Sequence, residues 1–131
     1  MAHQALEVIL MRQLASSLAM PVFIVDPVGT LVFYNGPAEQ ILGHRFEESG
    51  EMPVVEWSTA YIPEDEFGNV FPADKMPLVI ALSTQRSSHT GFWITGKDNV
   101  RRYIEVTAFP LLAHGNKNLG AVAIFWEGNH K

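Results

Sequence analysis

Residues 90 to 127 hold three runs rich in β-branched and aromatic side chains, parted by two short polar turns. Thr90 to Thr95 leads through Gly96-Lys97-Asp98-Asn99 into Val100 to Leu112, and His114-Gly115-Asn116-Lys117-Asn118 leads into Leu119 to Glu127. Turns that short reverse the chain, so the three strands must pair antiparallel. A second hairpin lies earlier. Val22-Phe23-Ile24-Val25-Asp26 and Thr30-Leu31-Val32-Phe33-Tyr34 flank Pro27-Val28-Gly29, and Asp26 has the chemistry of an Asx-turn residue. Helices between the second and third strands are expected to cover one face of the resulting sheet.

The helical segments have their own signals. Leu6, Leu10, Leu14 and Leu18 recur every fourth position, with Ile9 and Met11 beside them, which predicts a helix over residues 5 to 18 that Pro21 ends. Asn35-Gly36-Pro37-Ala38-Glu39 opens a short helix: Asn caps free N–H groups, Pro fits the first turn, and Glu suits the positive end of the dipole. Gly43 closes it. Residues 44 to 75 read as irregular, with helical turns around Val54 to Ala60 and a solvated acidic loop at Glu64, Asp65 and Glu66. Pro77 to Gln85 is a second helix, apolar at Leu78, Val79, Ile80, Ala81 and Leu82.

Composition removes several classes of function. The chain has 131 residues, enough for one domain, and a net charge of −5, which opposes binding to nucleic acid. Having no cysteine, it makes no disulfide and presents no thiolate to a metal or substrate. No apolar stretch reaches the roughly eighteen residues that span a bilayer, and the N-terminus lacks the form of a signal peptide. The expected location is the cytoplasm.

Four segments together resemble a PAS domain, from about Leu14 to Glu127. They are Phe23-Ile-Val-Asp-Pro-Val-Gly-Thr-Leu-Val-Phe-Tyr-Asn35; Ala38-Glu39 with Ile41-Leu42-Gly43; Gly68, Pro72 and Pro77-Leu78 with Ala81-Leu82; and Tyr103-Ile-Glu-Val-Thr-Ala-Phe-Pro-Leu111 with Gly120-Ala-Val-Ala-Ile-Phe125. The resemblance implies an α+β fold: a five-stranded antiparallel sheet of order 2-1-5-4-3, short helices on one face, and an N-terminal helix. Residues 1 to 20 would form that helix and 21 to 131 the core. It also implies a pocket between sheet and helices, and a sensory role with output through a partner or an attached domain. The family's closing Asp-Ile-Thr is replaced here by Glu127, Gly128 and Asn129, so the chain is expected to be either a lone module or a domain cut from a longer protein.

Alternation along the strands, combined with the resemblance, assigns the faces. Phe23, Val25, Val32, Tyr34, Phe92, Ile94, Ile104, Val106, Ala123 and Phe125 are expected to face the helices, and Ile41, Leu42, Trp57 and Ile80 to close the pocket over them. Tyr34 supplies a hydrogen-bonding group at the wall. The space is expected either to take a small apolar ligand or to close as a filled core. The outer face, with the N-terminal helix, is expected to pair two copies through Leu6, Ile9, Leu10, Leu14, Ile24, Phe109, Ile124 and Trp126; the competing arrangement folds that helix onto its own sheet. Tyr34, Phe125 and Trp126 are candidate relays between the two faces.

Flavin is disfavoured because the resemblance places Ile94, Ile104 and Phe125 where flavin-binding members read the polar edge with amides, and those members' reactive cysteine is absent. The resemblance implies that a haem would take its axial histidine from the helix at 77 to 85, which has none; His44, His89 and His114 fall at element ends or turns and Met76 reads as packing, so haem is disfavoured. No metal site is expected. A histidine kinase or another signalling protein is the expected partner. The alternatives are a constitutive dimerisation scaffold and, from a different class, a small enzyme hiding an acid/base pair among Asp26, Glu39 and Glu105.

Overall fold

The computed structural model describes residues 17–129 together with Ile9, Gln13 and Leu14. The N-terminal helix expected at 5 to 18 falls mostly outside these residues, as do the expected interface positions Leu6 and Leu10. Ile9 and Leu14 are exposed.

Strands β1 (Val22–Val25) and β2 (Leu31–Tyr34) form the first hairpin. Asp26 Oδ1 holds its turn by accepting from the amides of Val28 at 3.0 Å and Thr30 at 2.9 Å. Helix α1 (Gly36–Leu42) starts at Asn35, whose side chain accepts from the Ala38 amide, and ends at Gly43, whose N–H reaches the Glu39 carbonyl. The stretch that follows is more helical than its sequence suggested. It contains α2 (Phe46–Ser49), α3 (Val54–Ala60) and a single 3₁₀ turn (Ala73–Lys75) before α4 (Pro77–Thr84). Strands β3 (Ser88–Thr95), β4 (Arg101–Ala113) and β5 (Lys117–Glu127) complete the chain.

The sheet runs β2-β1-β5-β4-β3 with every pairing antiparallel, as expected. Its middle strand is therefore the last of the fold, with the first beside it. β1 is buried at all four positions because it carries apolar groups to both faces.

One residue departs from simple alternation. Ile24 pairs with Phe33 but Val25 pairs with Leu31, so Val32 is the extra residue of a β-bulge. The bulge turns Leu31 and Tyr34 toward the helices while Val32 joins Val22, Ile24 and Val122 on the outer face. Val32 is thus no part of the pocket. Ile24 is fully buried within the single chain, so it offers no exposed surface for a second copy, whereas Phe109 and Ile124 are half-buried and Trp126 is exposed.

Candidate functional site

Between the sheet and the helices lies a cavity of about 80 Å³. Phe23 of β1, Phe92 and Ile94 of β3, Ile104 and Val106 of β4, and Ala123 and Phe125 of β5 form its floor. Leu42 of α1, Trp57 and Ser58 of α3, Leu78 of α4, and Tyr61, Pro63 and Met76 of the connecting segments form its roof. Nine residues expected at the pocket from sequence meet here: Phe23, Leu42, Trp57, Phe92, Ile94, Ile104, Val106, Ala123 and Phe125.

The other expected residues lie elsewhere. Val25 and Ile41 pack in the inner core away from the cavity. Ile80 is half-buried and outside that core: α4 buries Pro77, Leu78 and Ala81, so Leu78 takes the place assigned to Ile80. A helix apolar on nearly every side gives no phase from sequence alone. Tyr34 has its ring in the core, stacked on Phe23 at 5.9 Å, but its hydroxyl donates to the His44 carbonyl at 2.8 Å, beside Ser49 Oγ at 3.2 Å. Burial raises its pKa, against the lowering effect of its hydrogen bonds with Ser49 and then Tyr61.

Sequence reasoning missed Ser58, Tyr61, Pro63, Met76 and Leu78. Tyr61, Pro63 and Met76 sit in segments without periodicity. They reach the cavity because the chain after α3 runs beside β3. Thr95 donates to the Tyr61 carbonyl at 2.7 Å, and Glu64 and Trp93 exchange backbone bonds at 2.8 and 2.9 Å. The stacked rings of Phe71 and Phe92, 4.7 Å apart, hold the same segment down. Trp57 is fixed by its Nε1, which donates to the Gly29 carbonyl at 2.8 Å, and its ring meets Phe23 edge-on at 5.5 Å.

Tyr61 is 5% exposed, and its hydroxyl lies near that of Tyr34, with which it interacts. Burial, and then the neighbouring Tyr34, push its phenol far above the ordinary value, so it is a neutral donor at any physiological pH. His44 Nδ1 is buried with no hydrogen-bond partner among the described residues, outside the cavity wall.

The carboxylates considered as a hidden acid/base pair have separate engagements. Asp26 closes the hairpin turn, Glu39 Oε2 accepts from the Phe46 amide at 2.9 Å, and Glu105 Oε1 meets His89 Nε2 at 2.8 Å on the outer face. His89 also touches Thr107 Oγ1 at 2.7 Å, its partner directly across the β3–β4 ladder. This Thr107–His89–Glu105 line has the form of cross-strand pairing on a half-exposed sheet. The acidic loop is also locally engaged: Asp65 Oδ1 accepts from the Phe67 and Asn69 amides, and Glu64 pairs with Arg101. Among the described residues, no three His, Asp or Glu side chains cluster as a metal site would require.

No family model matches the sequence, and no curated protein matches it. Solved structures do match the architecture. The PAS domain of a protein from Colwellia psychrerythraea is similar over 92% of this chain and 96% of its own, at 16% identity and a TM-score of 0.64. The PAS domain of Bordetella pertussis BvgS is similar over 95% of this chain and 88% of its own, at 11% identity and a TM-score of 0.61. This is the PAS fold. The LOV domain of the Erythrobacter litoralis EL346 blue-light activated histidine kinase shares it over 86% of this chain and 99% of its own, at 14% identity and a TM-score of 0.65. At such identities the likeness is of fold alone. Among the described residues, no helix of this PAS-fold chain is long and apolar enough to cross a membrane.

Proposed function

We propose that this chain is a sensory signalling module that takes a small molecule into the cavity under α3 and α4 and passes the event to a partner. The observation that carries the reading is the apolar cavity of about 80 Å³ held between the sheet and the helical layer. A molecule there touches β5 at Ala123 and Phe125, and β5 presents Ile124 and Trp126 on the opposite face, where a second copy or a kinase would sense a shift. Binding moves that equilibrium only by its differential affinity for the two states of the outer face. The module acts in the cytoplasm and without catalysis of its own.

The reading is of a domain without flavin or haem. A cavity of about 80 Å³ is small beside the several hundred Å³ that drug-sized ligands occupy, and its wall carries no amide side chain to meet a flavin's polar edge. The thioether of Met76 lines the wall, but no histidine does.

The same small volume favours a second reading, a constitutive scaffold whose core is closed. Native mass spectrometry of freshly purified protein separates the two. A co-purifying mass of small-molecule size supports sensing, and a clean apo mass across preparations supports the scaffold. Sedimentation velocity at micromolar concentration tests pairing: a persistent monomer removes the homodimer.

A further inference from the structure

The cavity wall offers a guest carbon and almost nothing else. Resting on the sensing reading above, we propose that the ligand is a wholly apolar molecule of no more than about five heavy atoms, such as a short alkane or alkene. The site then rejects oxygen-bearing molecules of the same shape.

Size comes first. About 80 Å³ is roughly half the volume of an apolar cavity that accepts benzene, so a six-membered ring is too large without displacement of the wall. Charge comes second. The fourteen lining residues include no carboxylate, amine, guanidinium or imidazole, so an ionised ligand would be buried without a counter-ion. Hydrogen bonding comes third, and it separates apolar guests from neutral polar ones. Trp57 Nε1 is spent on the Gly29 carbonyl at 2.8 Å, and the Tyr61 hydroxyl interacts with that of Tyr34. The Met76 thioether is a weak acceptor and donates nothing. Ser58 of α3 carries the other hydroxyl of the wall, and the remaining ten lining side chains are hydrocarbon. A carbonyl or alcohol oxygen brought here gives up its bonds to water and recovers at most the one that Ser58 could return. A water meets the same deficit, since a buried water calls for two to four polar partners. An apolar guest has no such bonds to lose and gains dispersion contacts with the wall.

Three probes separate these requirements. Isobutene and acetone share one shape and four heavy atoms, and benzene is apolar but larger. The isotope-labelled full chain is titrated with each, following the amides of Phe92, Ile94 and Phe125. The expected result is that isobutene binds at least about tenfold more tightly than acetone, and that benzene leaves these amides unmoved. Isobutene protons should show nuclear Overhauser contacts to the methyls of Ile94, Ile104 and Val106. Ala123→Val, which fills the void, should abolish isobutene binding with the dispersed amide spectrum retained as proof of folding. Should that variant fail to fold, the Overhauser contacts on the natural chain still place the guest. Isobutene shifts that survive in folded Ala123→Val put the guest outside the cavity and overturn the proposal. Acetone binding as tightly as isobutene overturns the apolar class and leaves cavity sensing standing, with Ser58→Ala showing whether that hydroxyl is the polar anchor. Benzene binding at the same amides overturns the size limit. No response to any probe means a closed core, and the sensing reading falls with the ligand class.

Discussion

Asn35 Oδ1 accepts the amide hydrogen of Val22 at 2.9 Å, reaching across thirteen positions from the start of α1 to the start of β1. The same oxygen accepts from Ala38 at 3.2 Å, and Nδ2 donates to the Met20 carbonyl at 2.8 Å. One side chain at 1% exposure thus caps a helix, satisfies the first amide of a central strand and pins the segment leading into it. Asn35→Ala removes the cap and strands a buried amide. The expected loss is about 2–4 kcal/mol, read from the urea midpoint at unchanged slope. A loss under about 0.5 kcal/mol would show that water replaces these bonds.

Gly120 borders the second bulge of the sheet: Leu111 pairs with Gly120 and Leu112 with Asn118, which leaves Leu119 as the extra residue. The φ of Gly120 is +118°, and a Cβ there would lie 2.1 Å from the Val25 carbonyl oxygen, a backbone atom that cannot swing aside. Gly120→Ala is expected to cost at least about 3 kcal/mol or to prevent folding. Gly115→Ala, at φ +76° but with nothing within 4 Å, should cost about 1 kcal/mol. Thermal unfolding of the two variants side by side checks the contrast.

Arg102 grips Asp98 through Nη2 to Oδ2 at 2.9 Å, and its Nη1 donates to the Ile41 carbonyl at 2.9 Å, tying the β3–β4 turn to α1. The hydrogen bond from Arg102, then that from the Val100 amide, holds the Asp98 carboxyl below its ordinary value. A carboxylate with a depressed folded pKa adds stability above its unfolded value, about 3.9, and loses it as pH falls through the folded one. Asp98→Asn should therefore be less stable than the natural chain at pH 7. The gap should close as pH falls from about 3.9 through the lower folded value. Urea unfolding at pH 7, 4 and 2 measures it, and a gap independent of pH would assign the effect to packing.

Ala123 is 2% exposed, lines the cavity on β5, and pairs with Ala108 and Phe23. Ala123→Val places two methyl groups toward the void. Filling it should raise stability by about 1 kcal/mol and Tm by about 3–5 °C. A fall in Tm would mean that the void is closed in solution and the added methyls overpack it.

How much of this was legible beforehand differs between elements. The hairpin at 22–34 is set by Asp26 and Gly29, α1 by Asn35 and Gly43, and the last three strands by turns whose residues are local signals. Period-two alternation then placed Phe92, Ile94, Ile104 and Val106 on the cavity floor, because β3 and β4 run without a bulge there. Val32 escaped that rule. A bulge is a property of two strands in register, and nothing in Leu31-Val32-Phe33 marks which residue will be left unpaired.

The sequence by itself determined the strand order's raw material: which segments extend, where they reverse, and which surfaces must leave water. Those follow from neighbours within a few residues, through backbone preference, capping and alternation. Only the tertiary structure decided that Leu78 rather than Ile80 faces the sheet, and that Tyr61 and Met76 roof the cavity. It alone brought the Tyr61 hydroxyl beside that of Tyr34. Each depends on how an apolar helix rotates, or on where an aperiodic segment docks, and packing against distant strands sets both.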